Sequence, residues 1–474
     1  MLRQASLFLK CKIELFMMNF GEHADTICAL STPNGMGAIA VIRISGPKAI
    51  NLVGSVFSKN IAQATSHTAH FGLIKDEENV IDEVLLCVFH KNQSFTGEET
   101  VEISCHGSVF IQQAVLQLLL KQGCRMAEPG EFTMRAYMNG RFDLAQAEAI
   151  ADLIASRSAA AHRMALTQMR GGVSKQLAEL RQQLIDFAAL IELELDFSEE
   201  DVEFADRTRL KMLITEILRV IDKLRKSFQL GNAIKNGIPV AIVGAPNVGK
   251  STLLNALLNE DKAIVSEIPG TTRDFIEDEI IIQGVSYRFV DTAGLRETTD
   301  VIENLGIERS FKKTSEASVV LYLLDDRNTN PEQTIAELHA FQSSFITTQE
   351  FIVVVNKLDL STQQLDFLAK FNPVFISAKE QTNLDLLIAR IASGAIQFSD
   401  QESEVLISNV RHFDALNRAY DDLIRVQEGM NSGLPTDLIA MDIRQVINHI
   451  GSITGVVDVE EVLGSIFSKF CIGK

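Results

Sequence analysis

Residues 239–252, Pro-Val-Ala-Ile-Val-Gly-Ala-Pro-Asn-Val-Gly-Lys-Ser-Thr, constrain this chain more than any other stretch. Gly244 to Ser251 fits G-x-x-x-x-G-K-S; it follows the apolar run Val240–Val243 and precedes the helical spacing of Leu253, Leu254, Ala256 and Leu257. That strand–loop–helix setting is the one in which the pattern holds phosphate. The glycines let the backbone curl so that successive N–H groups face phosphate oxygens at the positive end of a helix. The expected contacts are Asn247, Val248, Gly249, Lys250, Ser251 and Thr252. Lys250 adds a point charge for the β- and γ-phosphates, and Ser251 offers a hydroxyl to Mg²⁺. In a chain this long the pattern arises by chance roughly once or twice in a hundred, so alone it says nucleotide and no more.

The base is specified downstream. Asn356-Lys357-Leu358-Asp359 follows the strand-like run Phe351–Val355. A carboxylate at Asp359 accepts from the N1–H and exocyclic amine of guanine, whereas adenine presents an acceptor at N1. Ser377, Ala378 and Lys379, after the strand Val374–Ile376, give further support to the base. Between these lie Thr271-Thr272 and Asp291-Thr292-Ala293-Gly294. Thr272 is placed for Mg²⁺ and the γ-phosphate, Asp291 for Mg²⁺ through water, and the Gly294 N–H for the γ-phosphate. Motifs in this order point to GTP.

At 474 residues the chain is too long for one ordinary core, so two or three domains are expected. No apolar stretch is long enough to span a bilayer. A net charge of −18 argues against a broad nucleic-acid-binding surface, so any RNA must be held by a local patch or a partner. The cysteines, at 11, 28, 87, 105, 124 and 471, show no C-x-x-C spacing, which suits a reducing compartment without structural zinc. Residues 1–24 read as an extension; Met17 or Met18 is the preferred start, with a targeting segment as the alternative.

Short strand-like pieces, Thr26–Leu30, Ala38–Ile44, Val84–Phe89 and Thr100–Cys105, with one helix over Ile111–Leu120, predict a small α+β domain spanning 25–141. Helical spacing then takes over. Leu144, Ala147, Ala151, Ile154 and Ser158 form one stripe, and Leu177, Leu180, Leu184, Phe187 and Ile191 a second beyond Gly171-Gly172. A third joins Leu210, Leu213, Ile217, Ile221, Leu224 and Phe228, and Glu199–Glu203 reads as a turn. The texture returns after Phe398 with Leu406, Val410, Phe413, Leu416, Tyr420 and Leu423. The expected architecture is therefore an all-α domain in two parts, 142–235 and 399–474, with an α/β, Ras-like P-loop domain, 236–398, inserted between them.

A Ras-like site carries Gln after D-x-x-G to orient the attacking water, but here that position is Leu295. The water must be held from elsewhere, and Glu297, Asp300 and Glu303 are the nearby carboxylates. No arginine is evidently presented to the phosphates, although Arg273 lies close by in sequence. Asn247 reads either as a turn residue after Pro246 or as a ligand for a monovalent cation such as K⁺, which would supply charge at the phosphates.

Beyond the nucleotide motifs, the segment Asp25–Lys474 resembles the MnmE (TrmE) family of tRNA modification GTPases. The resemblance is carried by Thr32-Pro33-x-Gly35-x-Gly37-Ala38-Ile39-Ala40, Arg43-Ile44-Ser45-Gly46, Thr96-Gly97-Glu98-Glu99 and Cys105-His106-Gly107. It extends through Pro129-Gly130-Glu131-Phe132-Thr133, Asp143–Ala149, Gly270–Asp274, Gly306–Ser310 and Phe470-Cys471-Ile472-Gly473-Lys474. The resemblance implies a cytoplasmic homodimer whose N-terminal domain binds 5-formyl- or 5,10-methylene-tetrahydrofolate. It also implies GTPase domains that dimerise across nucleotide, Mg²⁺ and K⁺. With the FAD protein MnmG (GidA), in a heterotetramer or larger complex, the family installs aminomethyl or carboxymethylaminomethyl groups on C5 of the tRNA wobble uridine.

By the same resemblance, Glu303 is the catalytic glutamate, and Asn247, Ser266, Ile268 and Thr271 are the K⁺ contacts, with Ser251 and Thr272 for Mg²⁺. Arg43, Glu102 and Arg141 fall on the folate site, Arg141 standing where the family has lysine. Cys471 is tied to the modification chemistry, and His106 is read as structural. The competing reading is a ribosome- or membrane-associated regulatory GTPase, which predicts a basic appendage after the GTPase domain; a nucleotide-gated scaffold blends with the main one.

Overall fold

The computed structural model describes residues 25–196, 207–258, 278–289, 317–325, 331–343, 349–360, 366–396 and 405–456, with Ile466, Phe470 and Gly473. The acidic stretch Glu199–Glu203 lies outside the described residues. The chain divides into two compact units, one of Met1–Ala151, Met169–Arg181 and Ile447–Lys474, the other of Asp152–Gln168 and Gln182–Val446.

The first unit opens with β1 (Ile27–Leu30), β2 (Ile39–Ser45), α1 (Ala49–Val56), β3 (Thr68–Asp76), β4 (Asn79–Phe89) and β5 (Thr100–His106). It continues with α2 (Val109–Lys121), β6 (Arg125–Met126), α3 (Glu131–Met138) and α4 (Leu144–Ala155), the last ending in the second unit. The sheet order is β3-β4-β5-β2-β1-β6, antiparallel except for β1 beside β6. Alternation explains the strands: Ile42 and Ile44, Val84, Leu86 and Val88, and Val101 and Ile103 turn one way, into a core closed by Ile50 and Val53 of α1 and Val115, Leu118 and Leu119 of α2. Sequence reading places β1, β2, β5 and α2 to within two residues at each end. It shortens β4 and omits β3, whose buried positions begin only at Gly72.

Beside this core lies a buried charge network. Arg135 of α3, 1% exposed, reaches Glu131 at 2.9 Å, Glu98 at 3.2 Å and Asp25 at 2.7 Å. Arg125 closes the set on Glu131 at 2.6 Å and Asp25 at 2.7 Å, and the Ser45 hydroxyl donates to Glu98. Three motifs distant in sequence thus meet around one guanidinium. At the chain's end, Ile466 and Phe470 pack on Met134, Leu144 and Ala147. Gly473 lies so close to β1 that a Cβ there would stand 2.1 Å from the Leu30 carbonyl oxygen.

Past α4 come α5 (Ala159–Met169), α6 (Gly172–Asp196), α7 (Arg207–Lys226) and α8 (Phe228–Asn236). The stripe ending at Ser158 is cut short. Ser156 donates to the Leu153 carbonyl, and the Ser158 hydroxyl accepts from the Ala161 N–H, so one helix closes and another is capped. Ser227 likewise divides α7 from α8, its hydroxyl donating to the Leu224 carbonyl and accepting from the Ile407 N–H at 3.0 Å.

The α/β part comprises β7 (Ile238–Gly244), α9 (Lys250–Leu258), β8 (Asp278–Ile282), β9 (Val285–Phe289) and β10 (Val319–Asp325). After these come α10 (Pro331–Ser343), β11 (Glu350–Asn356), β12 (Val374–Phe375) and α11 (Leu384–Ile396). The sheet order is β12-β11-β10-β7-β9-β8, all parallel except the edge strand β8. The near-continuous apolar runs of β10 and β11 follow from burial on both faces. The chain returns through Ile407 beside Gly231, then forms α12 (Val410–Ser432) and α13 (Thr436–Thr454). α12 packs along α7, with Phe228 stacked on Phe413 at 4.3 Å. Leu406 precedes α12 rather than lying on it. No helix among the described residues is long and apolar enough to cross a membrane.

Removing a cation from a buried cluster strands its carboxylates. Arg135→Met should therefore cost the first unit about 3–5 kcal/mol, read as an earlier urea transition. Burial would raise the Asp25 carboxyl, but Arg125 and Arg135 outweigh it and hold it below its ordinary value. The contribution of Asp25 is thus present at neutral pH and is lost as pH falls below about 4; the same transition followed against pH checks the sign.

Candidate functional site

Among the described residues, the nucleotide motifs lie at the carboxyl ends of parallel strands: the phosphate loop after β7, Asn356 ending β11 and Ser377 just past β12, with Asp325 ending β10 between them. β9 and β10 lie on opposite sides of β7, so the strand order reverses there. Such a switch point leaves a crevice beyond the strand ends. Two glycines shape the loop. Gly244 has φ +147° and Gly249 φ +100°, and a Cβ at either would stand 2.3 Å from Leu323 O or Asn356 Nδ2. Asn247 takes the left-handed conformation at φ 62° with its side chain exposed, while Val248 is buried. Lys250 Nζ lies over the loop, donating to Gly244 O and Ala245 O at 2.9 Å each. Burial draws its pKa below the ordinary lysine value, a cost that phosphate anions would offset.

The base-reading segment is tied to this loop through adjacent residues. Asn356 Nδ2 donates to Val248 O at 2.8 Å, and its Oδ1 accepts from Ala378 N at 3.0 Å. Lys357, also left-handed at φ 70°, donates from Nζ to Asn247 O at 2.7 Å and to Asp325 Oδ2 at 2.6 Å. Ser377 donates to Asp359 Oδ1 at 2.6 Å, orienting the carboxylate, and also receives the Glu380 N–H. Lys379 is exposed, pairing with Glu380 at 3.4 Å. The structure therefore brings together Asn247–Thr252, Asn356, Lys357, Asp359, Ser377, Ala378 and Lys379. Ser266, Ile268, Thr271, Thr272, Asp291–Gly294, Glu303 and Cys471 lie outside the described residues, as do Arg273, Leu295, Glu297 and Asp300.

Asp325 is the member that sequence reading misses. Its only signal is an acidic residue closing a buried strand; the parallel register that sets it opposite Asn356 is what gives it a task.

A second polar site lies on the first unit's sheet, on the face away from α1 and α2. Arg43 and Glu102 are cross-strand partners of β2 and β5 and bond at 2.8 Å. The Arg43 guanidinium lies 5.4 Å from the Phe95 ring centre and 5.6 Å from that of Phe132. Arg141 sits on the loop that carries Phe95: its Nη1 donates to Asn92 O at 3.2 Å and its stem runs beside Gly97. Phe95 does not stand out in sequence, and Phe132 enters there only as part of a motif, with no contact assigned to it. Thr133, next to Phe132, keeps a buried hydroxyl without a partner among the described residues. His106 Nδ1 is held by Asp82 at 2.7 Å with the ring otherwise exposed.

The sheet order, the wired loop and the guanine-type reader define a P-loop GTPase inserted in a multidomain chain. Two family profiles match, "MnmE helical domain" over residues 144–471 and "GTP-binding protein TrmE N-terminus" over 26–141. The tRNA modification GTPase MnmE of Cytophaga hutchinsonii is 53% identical over 96% of this chain and 98% of its own. That of Flavobacterium johnsoniae is 50% identical over 95% and 99%. Among solved structures, the G domain of the FeoB iron transporter of T. maritima is 25% identical, with a TM-score of 0.25, over 33% of this chain and 98% of that one. The chain belongs to the MnmE family of tRNA modification GTPases.

A hydrogen bond to a charged group contributes about 1.5–3 kcal/mol, and each 1.4 kcal/mol is tenfold in affinity. Asp325→Asn should therefore raise the GDP and GTP dissociation constants alike, by about tenfold. Turnover at saturating GTP should stay near wild type, as fluorescent-nucleotide release and steady-state hydrolysis would read.

Proposed function

We propose that this GTPase works in the modification of tRNA, adding an aminomethyl or carboxymethylaminomethyl group at C5 of the wobble uridine. The one-carbon unit comes from 5-formyl- or 5,10-methylene-tetrahydrofolate held by the N-terminal domain, and MnmG supplies the FAD chemistry. The observation that carries this reading is the pairing, in one chain, of a guanine-nucleotide site with a separate polar site built by Arg43, Glu102, Phe95 and Phe132. A carboxylate that accepts, a guanidinium that donates and aromatic faces suit a flat, amide-bearing heterocycle. The unpartnered Thr133 hydroxyl is consistent with a polar ligand nearby, and Arg141 on the adjoining loop suits a ligand carboxylate.

For hydrolysis, Lys250 and the loop amides would hold the phosphates, and Ser251, Thr272 and Asp291 would hold Mg²⁺, which would neutralise charge on the phosphate oxygens. Asn247, exposed within the loop, would ligate K⁺ together with Ser266, Ile268 and Thr271, and the cation would supply positive charge at the phosphates. Glu303 holds the attacking water in place of the glutamine that Leu295 replaces. A homodimer would bring two GTPase domains together across nucleotide, in a cytoplasmic complex with MnmG and tRNA. The proposed domain limits remain 25–141, 142–235, 236–398 and 399–474.

The reading is tested by mass spectrometry of tRNA nucleosides from a strain lacking the gene. Loss of the C5-modified wobble uridine, restored by the wild-type gene, is expected; unchanged wobble bases would end the proposal. For hydrolysis, Glu303→Ala should slow GTP turnover by about a hundredfold or more with nucleotide affinity kept, as single-turnover assays would show.

A further inference from the structure

The β8–β9 hairpin holds a particular place in the GTPase domain. It begins six residues after Thr272 and ends two residues before Asp291, so it covalently joins the two motifs aimed at the γ-phosphate. β9 also pairs with β7, Phe289 beside Val240, on the strand that delivers the phosphate loop. Its far end does not face solvent alone. The two-residue turn Gln283-Gly284, with φ 51° and 81°, meets the bend between α4 and α5.

Three contacts define that meeting. The Ala160 N–H donates to Gly284 O at 3.0 Å. A Cβ built at Gly284 would stand 3.4 Å from the Ala159 methyl, so the two residues lie within van der Waals reach of each other. Arg157 reaches Glu279 at 3.0 Å, and the other oxygen of Glu279 is held by the Ser286 hydroxyl. An ion pair with its arginine 49% exposed contributes little by itself. The backbone bond fixes the geometry, with Ala159 packed beside Gly284 and the ion pair flanking it.

The bend is also gripped on its other sides. Asp152 near the end of α4 binds Lys235 of α8 at 2.7 Å, just before the chain enters β7. Gln168 at the end of α5 donates to Leu406 O at 2.9 Å, where the chain returns. Both crossings of the inserted domain and its hairpin therefore converge on α4 and α5.

We propose that the contact between the β8–β9 hairpin and the α4–α5 bend couples the nucleotide site to tRNA modification, with Arg157, Ala159 and Glu279 as positioning residues. It rests on the modification activity proposed above. A displacement of the hairpin moves Gly284 and Glu279 as one piece, because their strands are paired from Asp278 to Phe289. The bend must follow or the contacts break, which gives a physical path between the two.

The test uses the full-length chain carrying Ala159→Trp, a wedge against Gly284, or Arg157→Glu, with Arg157→Lys as the conservative variant. Purified Ala159→Trp and Arg157→Glu should hydrolyse GTP within about twofold of wild type, while tRNA from cells relying on either carries about five- to tenfold less modified nucleoside. Arg157→Lys should stay near wild type on both measures. Full modification in Ala159→Trp and Arg157→Glu overturns the proposal, as does an equal loss of hydrolysis and modification. Failure of the wild-type gene to restore any modified nucleoside would strike the functional reading, whereas these variants are compared only against a restoring wild type.

Discussion

One amide side chain holds the nucleotide site together. Asn356 has no charge and never needs to touch a phosphate, yet it fastens the phosphate loop to the base-reading loop by using both ends of its carboxamide, on Val248 and Ala378. Buried at 3% exposure, it must satisfy both ends internally, so its geometry is over-determined. Lys357 adds a second tie one residue on, to Asn247 and Asp325. Elements more than a hundred residues apart in sequence thus move as one body. Shape around the phosphates and choice of base become a single property of the fold.

The N-terminal domain solves a similar problem with charge. Arg135 collects Asp25 and Glu98 from two separate loops and Glu131 from one turn earlier on its own helix. Buried ion clusters are weak sources of net stability; what this one contributes is the placement of α3. That helix carries Phe132, and Phe132 faces the Arg43 guanidinium. The charged network and the candidate ligand site therefore share a backbone, and disturbing one shifts the other.

Much of this was legible in the sequence, for a physical reason. The phosphate loop, the guanine reader and the buried strands each depend on residue types at short, fixed spacings, and local chemistry specifies them. Asp325 and Phe95 were not legible, because their roles arise from register and from loops folded across a sheet. The breaks at Ser158 and Ser227 were missed for a related reason. Serine is tolerated inside a helical stripe, and only the hydrogen bond it makes reveals that the helix has stopped. The stripe ending at Ser158 overshoots α4 by three residues, and the one ending at Phe228 runs past Ser227 onto the first residue of α8.

Ile407 lies directly against Ser227 and Gly231, so the polypeptide leaves the helical body and comes back within a few ångströms of the same spot. From the standpoint of the helices, the whole GTPase domain is a loop closed at its neck, and its closure entropy is met by contacts at that neck rather than by its size. Such a seam is where one module can be exchanged for another without re-threading the host. A domain attached in this way leaves the helical packing of its host to fold on its own terms.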